Sequence, residues 1–215
     1  MAVNEPNEWS GLREWLAARI TRVDLTDFAD PDRVRLSRAL TALTSALGEG
    51  HDGESHLAAA VVRAELGRGG APRADDVLRS HLALALAART AEVRSVTPEG
   101  ALVVTGARQA AECRALAEEI LALSPHPELI AFATDLSRRV DEARRWRWVE
   151  PDVWTAAVVG LAVLVLPFVG GAIGDPAVTV AGVLVGAVLV FGFVMAHRKR
   201  KWAVDADAAF GRGRP

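Results

Sequence analysis

The sequence predicts a mainly α-helical fold, a cytoplasmic helical bundle of about six helices with a small β-hairpin, followed by a two-helix transmembrane hairpin. Three observations carry this. Apolar residues recur at helical spacing through most of residues 8–148. A single turn-rich interruption falls between Glu92 and Gly106. Two uncharged runs, 22 residues from Val153 to Gly174 and 21 from Pro176 to Ala196, come near the end with Asp175 alone between them.

The first segment, Glu8 to about Val23, spaces Trp9, Leu12, Trp15, Leu16 and Ile20 along one helical face. A second helix begins at Asp30-Pro31-Asp32, where Asp30 suits a cap and Pro31 the first helical position. It carries Val34, Leu36, Leu40, Leu43 and Leu47 up to Gly48. A third runs from about Ser55 through Leu57, Val61, Val62 and Leu66 to Gly67. A fourth runs from Ala74 through Val77, Leu78, Leu82 and Leu86 to Ala91, and Gly67-Arg68-Gly69-Gly70-Ala71-Pro72 links the two. Thr97-Pro98-Glu99-Gly100, flanked by Val93, Val96 and the run Ala101 to Thr105, reads as the β-hairpin. Helical spacing returns from Ala107 to Leu123. After Ser124-Pro125-His126-Pro127 a last helix, with Leu129, Phe132, Leu136 and Val140 inward, is expected to continue as far as Trp148 before Pro151 breaks it. That continuity would make it a stalk, or a link passing axial shifts to the hairpin.

Each uncharged run is long enough to cross a hydrocarbon core of about 30 Å as a helix. A buried hairpin in a large soluble core is the alternative, and a chain of 215 residues has too little core to hide both. The domains are therefore placed at 1–148 for the cytoplasmic helical part, 149–202 for the hairpin, with spans at about 153–174 and 176–196, and 203–215 for a flexible tail ending in Gly-Arg-Gly-Arg-Pro. Arg138, Arg139, Arg144, Arg145 and Arg147 precede the first span, Arg198, Lys199, Arg200 and Lys201 follow the second, and the connection between has no basic residue. The positive-inside rule then puts both termini in the cytoplasm of an inner membrane. Trp146, Trp148, Trp154 and Trp202 fit an aromatic belt there, and together with Arg144, Arg145, Arg147, Arg198, Lys199, Arg200 and Lys201 they are the expected membrane-interface anchors.

Gly182 and Gly186 form a small-xxx-small pair, suited either to the hairpin's internal contact or to an oligomer face. Neither run contains a charged residue, which argues against a proton relay or an ion site inside one chain. The opening residues Met1 to Glu8 lack the basic and apolar regions of a secretory signal, so the N-terminal domain is not expected to be exported by one. Residues 1–150 hold 19 basic against 23 acidic side chains, which offers no face for nucleic acid. Lys199 and Lys201 are the only lysines, an arginine preference that suggests a GC-rich bacterial genome.

Candidate chemistry is sparse. The lone Cys113 excludes an internal disulfide and reads as a small buried apolar residue, with no His or Lys nearby to activate it. His51-Asp52-Gly53-Glu54-Ser55-His56 holds metal-ligand types but lies between helices, where polar residues are expected, and no metal is assigned. His81, among Leu82, Leu84 and Leu86, is expected at the surface or partly buried. The acid pairs Asp75-Asp76 and Glu118-Glu119 suit a helix start and a solvated face. No phosphate-binding loop, nucleophile elbow or metalloprotease motif is present, and Gly67 to Gly70 follow a helix rather than a strand.

The expectation is a non-enzymatic, membrane-anchored adaptor without cofactor. It would bind a protein or small ligand through residues 1–148, contact the bilayer through the hairpin, and possess the means to self-associate there. The first alternative is a two-span effector of bacterial-defence type whose hairpin oligomerises to perturb the membrane; the second is a membrane-bound enzyme with an unfamiliar site.

Overall fold

The computed structural model describes residues 8–20, 23–48, 54–123 and 126–211. Within them lie nine α-helices and four short strands, in the order α1 (Glu8–Ile20), α2 (Asp30–Leu47), α3 (Ser55–Gly67), α4 (Pro72–Val93), β1 (Ser95–Val96), β2 (Leu102–Val103), α5 (Ala107–Ala122), α6 (Pro127–Arg144), β3 (Trp146–Trp148), α7 (Val153–Ile173), α8 (Pro176–His197), β4 (Arg198–Arg200) and α9 (Lys201–Ala209). The chain divides into two compact units, residues 1–144 with 205–215, and residues 145–204.

In the first unit α4 is the central helix, and α1, α2, α3, α5 and α6 all pack on it. Its stretch from His81 to Ala88 is buried at every position, so it is covered all round rather than along one stripe. Leu78 and Leu86 of this helix are fully buried, as are Leu16, Leu36, Leu43, Val62, Ile120, Leu129 and Val140 on the helices that pack on it. The hairpin stands where expected: Val96 pairs with Leu102, Gly100 takes φ +82°, and its N–H donates to the Thr97 carbonyl at 2.8 Å.

An ionic knot joins α2, α3 and α4. Arg35 Nη1 donates to Asp32 Oδ1 and Nη2 to Asp75 Oδ1, each at 2.8 Å, while Nε and Nη2 donate to the Glu65 carbonyl at 3.1 and 2.7 Å. Asp32, Arg35 and Glu65 are all buried, and Arg68 holds the Glu65 carboxylate. The glycine-rich linker closes over this knot. Gly69 takes φ +68°, and a Cβ on Gly70 would overlap Arg35 Nη1 and Asp32 Oδ1 and come within 2.9 Å of Arg35 Cζ. Asp75 is thus a partner in the knot as well as a first-turn acid.

The cap of α2 and the end of α6 differ from the sequence reading, while α3 starts at Ser55 as expected. Asp30 does not cap α2: Ala29 holds the cap position without a side-chain bond, and Asp30 pairs with Arg33 at 3.1 Å inside the first turn. The start of α3 is served from a distance, its Ser55 N–H donating to Glu92 Oε1 at 2.9 Å. α6 stops at Arg144 instead of running to Trp148, because residues 146–148 pair with residues 198–200 as a two-stranded ribbon. Part of the tail expected to be flexible is α9, whose Ala-rich sequence favours a helix and whose first amide, Lys201 N–H, is held by the Arg145 carbonyl at 2.8 Å. Residues 212–215 of that tail lie outside the described residues.

The second unit is an antiparallel pair, α7 and α8, both long and apolar enough to cross a membrane. Asp152 caps α7 and Asp175 caps α8, with Gly174 at φ +73° turning the chain between them.

Candidate functional site

A pocket of about 660 Å³ lies in the first unit. Arg19 comes from α1, Val77, Ser80, His81 and Leu84 from α4, Pro127, Glu128 and Leu129 from the start of α6, with Val23 and His126 from the segments between. Its walls mix aliphatic side chains with polar ones, and an ion pair stands on one side: Arg19 Nε donates to Glu128 Oε2 at 2.8 Å, and the same guanidinium lies 3.9 Å above the Trp15 ring.

His81 is only 4% exposed, against the expectation of a surface or partly buried residue. Its Nδ1 bonds the Val77 carbonyl at 2.7 Å. A carbonyl can only accept, so Nδ1 carries the proton and Nε2 holds a lone pair, for which no partner is present among the described residues. Burial pushes the imidazole below its ordinary pKa, the bond to Val77 opposing the shift, and the ring is neutral at pH 7. The hydroxyl of Ser80 donates to the Asp76 carbonyl at 3.1 Å. The arrangement can hold an aliphatic or amphipathic group; it does not show a nucleophile held by a base. His81 was legible in principle, since a helix that is apolar all round must be central and any histidine within it is covered.

A smaller pocket, about 150 Å³, is lined by Arg94, Arg139, Glu8 and Asp135 among others. Arg94 is 8% exposed, donates through Nε to the Thr90 carbonyl at 3.0 Å, and is held below the ordinary arginine pKa by burial. Its charge lies near Cys113, a neighbour the sequence did not reveal. Burial nonetheless dominates there and pushes the Cys113 thiol up to about 11, the influence of Arg94 acting the other way. Of the cluster from His51 to His56, residues 51–53 lie outside the described residues. Among the described residues no group of three His, Cys, Asp or Glu is arranged to hold a metal ion.

In the second unit, Gly182 and Gly186 are the buried residues of α8. A Cβ on Gly182 would stand 2.8 Å from the Leu166 carbonyl oxygen, whereas one on Gly186 would make ordinary contact with Val163 at 3.8 Å. Both glycines therefore face α7 of the same chain. At the other end of these helices β3 and β4 bring most of the anchor residues together: Trp146 opposes Arg200, Arg147 opposes Lys199, and Trp148 opposes Arg198. Arg145 and Lys201 extend the ladder by a further backbone bond. Arg144 ends α6, Trp154 lies in the first turn of α7 at 78% exposure, and Trp202 follows Lys201 in α9. No protein-family model, curated protein or solved structure matches the chain.

Proposed function

We propose that the chain is a membrane-anchored adaptor: a helical domain on the cytoplasmic face that binds an aliphatic group of a small ligand or partner protein, with α7 and α8 crossing the bilayer and both termini inside. The supporting observation is the pocket beside His81, with Val23, Val77, Leu84, Pro127 and Leu129 in its wall and the Arg19–Glu128 pair at its edge, in a chain whose other unit contains two long uncharged helices. Such pockets are where small molecules bind when a few polar groups converge on an apolar wall. Basic residues at both open ends of the hairpin, with Asp175 at the turn, support the orientation.

Two measurements test the reading. An introduced cysteine at Ala172 should react with an impermeant maleimide from outside intact cells, while the buried Cys113 stays silent; labelling only after lysis rejects the orientation. Native mass spectrometry of the full chain in mild detergent should show a retained small molecule or partner that the pocket-filling Ser80→Phe variant loses. If induced expression instead depolarises cells, and a chain truncated after Trp148 does not, the two-span effector replaces the adaptor.

A further inference from the structure

Arg94 follows the last residue of α4 and is 8% exposed, yet its one hydrogen bond runs from Nε to the Thr90 carbonyl. Its two terminal nitrogens have no hydrogen-bond or ion-pair partner among the described residues. Neither is sealed in, and the pocket of about 150 Å³ that Arg94 lines is the space they open on. A guanidinium keeps its proton in a protein, so the pocket carries a buried positive charge. Along α6, Phe132, Asp135, Leu136 and Arg139 reach the pocket from positions i, i+3, i+4 and i+7, one face of the helix; Glu8 and Leu12 reach it from α1 in the same way. The two acids in this lining are engaged elsewhere. Glu8 Oε1 accepts from Arg139 Nη1 at 2.8 Å and Oε2 from the Leu102 N–H at 2.9 Å. Asp135 Oδ2 accepts from Arg139 Nε at 2.7 Å, and Oδ1 from Arg138. Arg94 is therefore the buried member of the cluster and the one without an acid of its own. Water can meet its N–H donors but brings no counter-charge, and a buried charge without one is costly.

We propose that this pocket binds a short-chain monocarboxylate, its two oxygens on the Arg94 fork and its alkyl chain against Leu12, Phe132 and Leu136. The planar guanidinium matches a carboxylate through two parallel N–H bonds. A cavity of this size holds an apolar molecule of about six heavy atoms, which sets the length of the chain. Inorganic phosphate suits the site less: it has nothing to place against the apolar wall, and its second charge would face Glu8 and Asp135. The site shares no residue with the pocket beside His81 and does not depend on the crossing of a bilayer by α7 and α8.

The test titrates the full chain, held in an uncharged maltoside detergent at pH 7, with carbon-13 butyrate and reads the line width of the bound carboxylate. Butyrate should bind saturably. Butyramide, of the same shape without the charge, should bind about ten-fold more weakly, because hydrogen bonds to a charged acceptor are the stronger ones. Arg94→Met should abolish binding while the empty variant resists urea at least as well as the wild type, since a buried charge without a partner is gone. Glu8→Gln keeps an acceptor for the Leu102 N–H and removes a negative charge from the rim, so it should tighten butyrate roughly two- to five-fold. Arg79→Gln, which removes an exposed charge elsewhere on α4, should change nothing. Absence of saturable binding, equal binding of butyramide, or undiminished binding by Arg94→Met overturns the proposal. So does weaker binding by Glu8→Gln, or an empty Arg94→Met chain that unfolds more readily, which would show that Arg94 already has its counter-charge. Displacement of butyrate by an equal concentration of inorganic phosphate would assign the pocket to a simple anion and reject the monocarboxylate.

Discussion

Replacing Gly70 by alanine is the sharpest probe of the first unit. Gly70 is not among the residues with positive φ, so its backbone suits an L side chain, and the obstacle is space. The added methyl overlaps the end of Arg35, which can swing away only by releasing Asp32, Asp75 and the Glu65 carbonyl. Breaking a buried ion pair costs about 3–5 kcal/mol. The carboxylates of Asp32 and Asp75 retain 12% and 18% of their side-chain exposure, which places the loss at the low end of that range. Alanine also restricts the unfolded chain, an offset of about 0.4–1 kcal/mol. The expected net loss is thus about 2–3 kcal/mol, read from hydrogen exchange of the α2–α4 amides in the full chain held in micelles. In an Arg35→Ala background the overlap with the guanidinium is gone and only the Asp32 carboxylate, whose Oδ1 would lie 2.3 Å from the new Cβ, has to turn aside, so the same change should cost distinctly less. An equal loss in both backgrounds, or none in the wild type, would refute the steric argument.

His81 gives a pH dependence: its pKa is lowered in the folded state, so the unfolded chain binds the extra proton and stability falls as pH drops below about 6.5. Urea unfolding at pH 7 and 5 should show this, and His81→Leu should remove it while changing stability at pH 7 by at most about 1 kcal/mol in the favourable direction, since an unpaired acceptor is lost. Cys113, fully buried with its pKa near 11, should resist a thiol reagent at pH 8 until urea opens the unit; a fast native reaction would contradict its burial. In the hairpin, Gly182→Ala should weaken α7–α8 packing by roughly 1–3 kcal/mol, because the Leu166 carbonyl cannot rotate away, whereas Gly186→Ala should be tolerated; hydrogen exchange of both helices in micelles measures the difference.

Helical periodicity made the six helices of the first unit and both long apolar helices legible, since 3.6-residue spacing and a twenty-residue apolar run are local signals. What the sequence hid depends on distant partners. Glu92 serves the start of α3 from 37 positions away, and Asp75, which reads as an ordinary first-turn acid, belongs to a knot with Arg35. The pocket draws on α1, α4 and the start of α6, and no local pattern marks a cavity. The ribbon is intermediate: Trp-Arg-Trp and Arg-Lys-Arg do not alternate apolar with polar as a half-buried strand does, so each reads as belt and anchor until it is set beside the other.

A turn at Gly174 and a ladder between β3 and β4 together close α7 and α8 at both ends. A single helix tethered at one end can slide like a piston rod. Here, sliding by one residue would turn every ribbon side chain to the opposite face and part each tryptophan from its arginine. Travel along the axis is therefore indexed like a toothed rack, and small displacements reach the two helices jointly, as a tilt or rotation of the closed loop.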